Sequence, residues 1–183
     1  MTGEAEKPLA IVTGVGPGTG SALVRRFHAG GYRVGMMARD KARLEKLAEE
    51  MPSTIAVPCD VADAKALQAA LDDLTGRFGS PKVAVHNAVG GAFGTFADVD
   101  PEILRRNFEI NVMALLHLAR HVAPKMIAAG GGALIATGNT SALRGRQNFA
   151  GFAPTKAAQR ILAESIARDL GPKGIHAGSG RAV

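Results

Sequence analysis

Residues 9–13 form a short, almost wholly apolar run, Leu9-Ala10-Ile11-Val12-Thr13, that leads into a turn holding Gly14, Gly16, Gly18 and Gly20; apolar positions then return at helical spacing. Such a run followed by such spacing marks a strand buried on both faces that hands over to a helix. The same alternation continues along the chain, predicting strands at residues 32–38, 53–58, 83–86 and 133–137 and helices at residues 40–50, 63–78, 101–129 and 152–170. Gly30-Gly31 ends the first helix, Asp63 caps the third, and Gly79-Ser80-Pro81 breaks it. Asp100-Pro101-Glu102 supplies a cap, a first-turn proline and an acidic first turn to the long helical region, which Pro124 is expected to bend. Residues 90–99 read as loop. Strand and helix alternate without hairpin signals, which predicts an α/β fold: a doubly wound parallel sheet with helices on both faces, in a single domain over residues 1–183. Right-handed crossovers then place ligands beyond the C-terminal ends of the strands, where the strand order reverses.

The glycine turn has chemistry of its own. Without Cβ atoms it can adopt positive φ and let a pyrophosphate reach the backbone, while amide N–H groups and the positive end of the following helix face it. A nucleotide is the expected ligand.

Composition narrows the class. A chain of 183 residues, 46% of them apolar, can close one substantial core. Residues 1–8 are polar and no apolar run approaches a membrane span of roughly 18 residues, so a soluble, cytoplasmic protein is expected. The single cysteine, Cys59, cannot form an internal disulfide, in keeping with a reducing compartment. The net charge of +6 is spread over helices that also carry acids, for example Arg39, Asp40, Lys41, Arg43 and Glu45; this describes solvated helix faces rather than a nucleic-acid surface. No nucleic acid, membrane or metal partner is assigned.

The pattern T-G-x-x-x-G-x-G, Thr13 to Gly20 with Thr19 within it, resembles the short-chain dehydrogenase/reductase family, and further stretches stand in that family's order and spacing over residues 9 to about 177. The resemblance implies a Rossmann-type nucleotide fold. In the family, the position after the second strand reads the adenosine ribose. Here it is Ala38-Arg39, with no acid for a 2′-hydroxyl and a cation for a 2′-phosphate, which favours NADP(H); Arg39 could also be an ordinary surface arginine. Cys59-Asp60-Val61 matches the adenine-binding segment, although Asp60 reads equally as a helix cap. His86-Asn87-Ala88-Val89-Gly90 is similar to the family's N-N-A-G stretch, with His86 for the first asparagine and Val89 in the glycine slot. Asn111 matches the asparagine whose carbonyl holds a water of the proton relay, and it reads equally as a buried helix asparagine.

The catalytic centre departs from the family. Lys156 matches the lysine of Tyr-x-x-x-Lys, which lowers the phenol's pKa and holds the nicotinamide ribose, but the tyrosine position is Phe152. In the related enoyl-reductase register the position is Phe149. The only tyrosine, Tyr32, falls at the wrong end of the sheet. The serine slot is Asn139, whose amide can hydrogen-bond a carbonyl but is a poor proton shuttle; Thr140 and Ser141 are neighbouring hydroxyls. After residues 171–177, which resemble the end of a helix and the first step of another strand, family members continue through that strand and a substrate-covering region, whereas this sequence gives six more residues. A shortened C-terminal part, or an open sheet edge covered by another subunit, is therefore expected. The resemblance implies an NADP(H)-dependent oxidoreductase acting on a small carbonyl or alcohol, in a homo-oligomer formed through helices 101–129 and 152–170. The alternative is a catalytically impaired nucleotide-binding scaffold or sensor of the same fold.

Overall fold

In the computed structural model, which describes residues 7–181, six parallel strands stand in the order β3-β2-β1-β4-β5-β6. They are β1 (Leu9–Thr13), β2 (Arg33–Ala38), β3 (Thr54–Pro58), β4 (Pro81–His86), β5 (Gly132–Gly138) and β6 (Ile175–Arg181). The helices between them are α1 (Thr19–Ala29), α2 (Lys41–Glu50), α3 (Ala64–Phe78), α4 (Pro101–Phe108), α5 (Ala114–Ala128) and α6 (Ala153–Leu170). Most of the polar segment at residues 1–8 lies outside the described residues.

Alternate side chains of β1 enter two different cores, as the period of a strand requires. Leu9 and Ile11 join Leu67, Leu71, Leu74, Leu118, Val122 and Met126 of α3 and α5. Ala10 and Val12 join Val24, Leu44 and Leu47 of α1 and α2 on the other face. Each fully buried leucine contributes about 1.5–3 kcal/mol over an exposed one, so helices on both sides are anchored to the sheet and its strand ends are fixed in place. The strand order reverses between β1 and β4, which pair in parallel from Leu9–Pro81 to Thr13–His86. The crevice beyond those two strand ends is the place that a doubly wound sheet offers a ligand.

Four elements differ from the sequence reading. The long helical region is interrupted by a π-helical turn, Glu109–Met113, whereas Pro124 sits inside a continuing α5. The extra residue of a π turn shifts the phase of the helix, but over five residues the shift is too brief for the apolar periodicity to single it out. α3 ends at Phe78 before Gly79-Ser80-Pro81 as expected, but β4 begins at Pro81 rather than Val83, the first residue of a strand being a position that tolerates proline. β6 does not stop at residue 177: it pairs with all of β5, from Gly132–Ile175 to Gly138–Arg181. Its sequence, IHAGSGR, is a poor strand former, and the pairing decides its conformation. Phe152 lies just outside α6, as its N-cap.

Candidate functional site

Asp40, Asp63 and Asp100 each cap a helix by accepting a hydrogen bond from a first-turn amide. α1 has no such cap; it begins after Gly18 with no side-chain hydrogen bond. Its first amides, which have no intrahelical acceptor, are left at the C-terminal end of β1. Gly14 turns the chain there at φ 72°, and a Cβ at this position would strike the backbone of Ala88. A Cβ on Gly16 or Gly18 would instead meet nothing within 4 Å. The turn is thus closed toward β4 and open toward a cleft of about 890 Å³.

That cleft unites most of the residues singled out from sequence. Gly14, Gly16, Gly18, Thr19 and Gly20 form its middle; Ala38 and Arg39 border one end, with Cys59, Asp60 and Val61 beside them. Asn87 and Ala88 line the wall after β4, and Asn139, Phe152 and Lys156 lie toward the other end. Asn87 donates through Nδ2 to the carbonyl of Gly14 at 2.8 Å, fastening the two walls together.

Thr13 and Asn111 do not line the cleft. Thr13 is buried behind the turn, with Oγ1 3.1 Å from His86 Nδ1. Asn111, in the π turn, accepts from the Gly90 amide at 2.9 Å and donates to the Gly90 carbonyl and to Thr155 Oγ1, both at 2.8 Å. Its side chain joins the loop after β4 to α6 from behind. Thr140 and Ser141 occupy a 3₁₀ turn that Asn139 caps by accepting from the Ser141 amide at 2.8 Å. With that oxygen engaged, the NH₂ of Asn139 is the end left to donate to a carbonyl.

Asp60 does not cap a helix, a role that Asp63 takes; its Oδ1 accepts from the Ala62 amide at 3.0 Å in the turn before α3, and its carboxylate borders the cleft, with Oδ2 pairing with Arg106 at 2.6 Å. Burial, reinforced by Asp60 and Asp63, pushes the Cys59 thiol up to about 11, so it is an inert wall group.

Lys156 is buried, its Nζ donating to the Thr137 carbonyl at 2.8 Å and to Gln159 Oε1. Burial pulls its ammonium down to about 8. His86 is fully buried, and burial followed by the Lys156 charge pulls the imidazole down to about 4. The Ile110 and Asn111 carbonyls of the π turn oppose this weakly, but neither meets Nε2 in hydrogen-bonding geometry.

Phe152 belongs to an aromatic rim. Phe93 meets Phe149 edge-on at 5.3 Å and Phe152 at 5.8 Å, and a Cβ on Gly91 would come within 2.8 Å of the Phe152 ring. A bridge between Gly94 and Phe149 ties together the two loops that carry this rim.

Sequence reasoning missed Arg43, which lines the cleft from the first turn of α2 and pairs with its N-cap Asp40 at 2.8 Å; its place in the first turn after Arg39 was the available signal. It also missed Thr137 and Gly138 at the end of β5, and Gln159. Among the described residues no helix is long and apolar enough to cross a membrane.

The short chain dehydrogenase family profile matches residues 8–179. D-erythrulose reductase of Gallus gallus is 34% identical over 164 residues, covering 89% of this chain and 65% of that protein. The 7α-hydroxysteroid dehydrogenase of Escherichia coli (strain K12) is 31% identical over 170 residues, covering 91% of this chain and 66% of that protein. Among solved structures, L-sorbose reductase from Gluconobacter frateurii, complexed with NADPH and L-sorbose, superposes with a TM-score of 0.89 at 27% identity, covering 95% of this chain and 68% of that one. The chain thus spans about 65% of the length of the D-erythrulose reductase that it matches.

Proposed function

The chain belongs to the short-chain dehydrogenase family, and on that premise we propose that it is an NADP(H)-dependent oxidoreductase acting on a carbonyl or alcohol. The observation that carries this reading is the single cleft running from Arg39, past the open face of Gly16 and Gly18, to Asn139 and Lys156. When bound, the nicotinamide would supply or accept the hydride. The residues present suit such a ligand: the uncapped start of α1 offers amide donors to a pyrophosphate, and Arg39 with Arg43 offers two guanidinium groups to a 2′-phosphate. Val61 and Cys59 form an apolar wall for the adenine. Lys156 presents a buried cation to the nicotinamide ribose, and Asn139 a donor to the substrate oxygen. As Phe152 has no proton to give, Lys156 or water serves as the acid.

The rim of Phe93, Phe149 and Phe152 favours an apolar carbonyl over a polyol, because it offers ring surface and no hydrogen-bonding group. Ile103, Ile127 and Ile161 are exposed on α4, α5 and α6, which supports a homo-oligomer formed through these helices; light scattering at high protein concentration should show a dimer or tetramer, and a monomer there contradicts it.

Phe152 also favours a second reading, a nucleotide-binding scaffold with little turnover. The deciding experiment titrates the protein with NADPH and then follows reduced-nicotinamide absorbance against a panel of aldehydes, ketones and quinones. Binding with turnover supports the oxidoreductase. Binding without it supports the scaffold, and absence of binding removes both.

A further inference from the structure

Lys156 and Gln159 lie three residues apart on α6, 3% and 2% exposed, and the ammonium of one donates to the amide oxygen of the other. An ammonium can only donate, so the oxygen end of Gln159 must face it and the NH₂ end must face away. That NH₂ is buried and meets no acceptor among the described residues. An apolar side chain of the same length would avoid the desolvation of an unpaired donor; the amide is therefore of use here for its oxygen alone. We propose that Gln159 is a positioning residue of this site: with the Thr137 carbonyl it fixes the Lys156 ammonium at the floor of the cleft, doing by a neutral acceptor what a carboxylate would do in an ion pair.

The surroundings of Lys156 agree. Among the described residues it takes part in no ion pair with any carboxylate. On β4, His86 faces it and is neutral at neutral pH; on β5 the facing group is the Thr137 carbonyl. On its own helix, Arg160 is turned toward the Ala142 carbonyl and Glu164. Two uncharged oxygens thus hold the cation against burial. With its ammonium near 8, Lys156 stands where the gain or loss of one acceptor changes its charge measurably.

This inference rests on the cofactor reading only for what the lysine goes on to touch. It is tested on the full chain labelled at lysine Cε and Nζ, by nuclear magnetic resonance titration from neutral to alkaline pH without nucleotide; the Lys156 signal is identified by its loss in Lys156→Met. Gln159→Met removes the acceptor at nearly constant volume and should lower the Lys156 midpoint by about half a unit or more, and Gln159→Glu should raise it. If Gln159→Met fails to fold, Gln159→Asn, which withdraws the oxygen by one methylene, should give the same downward shift. A midpoint that stays in place in the folded variants overturns the proposal. NADPH titration of the same proteins separates the two readings: a wild type that ignores NADPH while the midpoints shift refutes the cofactor reading and leaves the lysine clamp standing.

Discussion

The Lys156 amide donates to the carbonyl of Phe152 at 3.2 Å, so the two residues stand one helical turn apart and their side chains border the same cleft. A phenol at residue 152 would therefore lie beside an ammonium that depresses its pKa. General acid catalysis by a placed side chain is typically worth about 10² to 10⁴ in rate. Phe152→Tyr should raise reduction of a reactive dicarbonyl by NADPH at least about tenfold. A variant that binds NADPH without any gain, beside a wild type that turns over briskly, would place the acid elsewhere.

Arg39 and Arg43 bear on cofactor choice. If they meet a 2′-phosphate at this partly open end of the cleft, NADPH should bind more tightly than NADH by about 1–3 kcal/mol. Arg39→Ala should remove most of that difference, and Arg43→Ala a smaller part because Asp40 already engages it. Equal affinities of the wild type for the two nucleotides, measured by calorimetry, would refute the assignment.

Phe93 is 72% exposed although it packs against two other rings. Removing it should weaken a flat apolar carbonyl by about 0.5–1.5 kcal/mol, a rise of roughly two- to twelvefold in KM, with kcat and the KM for a ketose unchanged. A parallel loss for both substrates would mean that the rim is only structural.

His86 gives the fold an acid-sensitive point. Its folded-state value of about 4 lies below the ordinary 6.5, so the folded chain binds this proton less readily than the unfolded one. The associated stability is fully present above pH 6.5 and is lost as pH falls toward 4. The difference corresponds to roughly 3 kcal/mol. Denaturant melts of wild type and His86→Asn across this window should converge in slope only above it; identical acid limbs in the two proteins would show that His86 is not the group responsible. His121, also shifted down by burial, is common to both proteins and cancels.

The glycine turn could be read from sequence because each of its signals is local: an apolar run, glycines where the backbone must turn, and helical spacing afterwards. Arg39, Asn139 and Lys156 were singled out by their resemblance to the family's motifs rather than by the pattern of elements, and the fold brings all three to one cleft. What could not be read depends on partners distant in sequence. The π turn around Asn111 is fixed by hydrogen bonds to Gly90 and Thr155, and β6 takes its form from pairing with β5. Gln159 was missed because a glutamine on a helix usually marks the solvent side, and only the buried ammonium three residues away gives it another purpose. Thr13 was expected at the nucleotide, but its hydroxyl finds His86 behind the turn instead.

The close approach of Gly14 to Ala88 makes two stretches of the gene dependent on each other. Any side chain at residue 14 would have to enter the backbone of Ala88 and adopt a positive φ as well, and the Asn87 amide clamps the same peptide from the other side. The glycine turn and the segment after β4, 73 residues apart along the chain, are consequently held at backbone contact distance, and glycine is the residue that this distance permits at position 14. In a mutational scan, substitutions at residue 14 are expected to be lost and not to be rescued by side-chain changes at residue 87 or 88, because the atoms in the way are backbone.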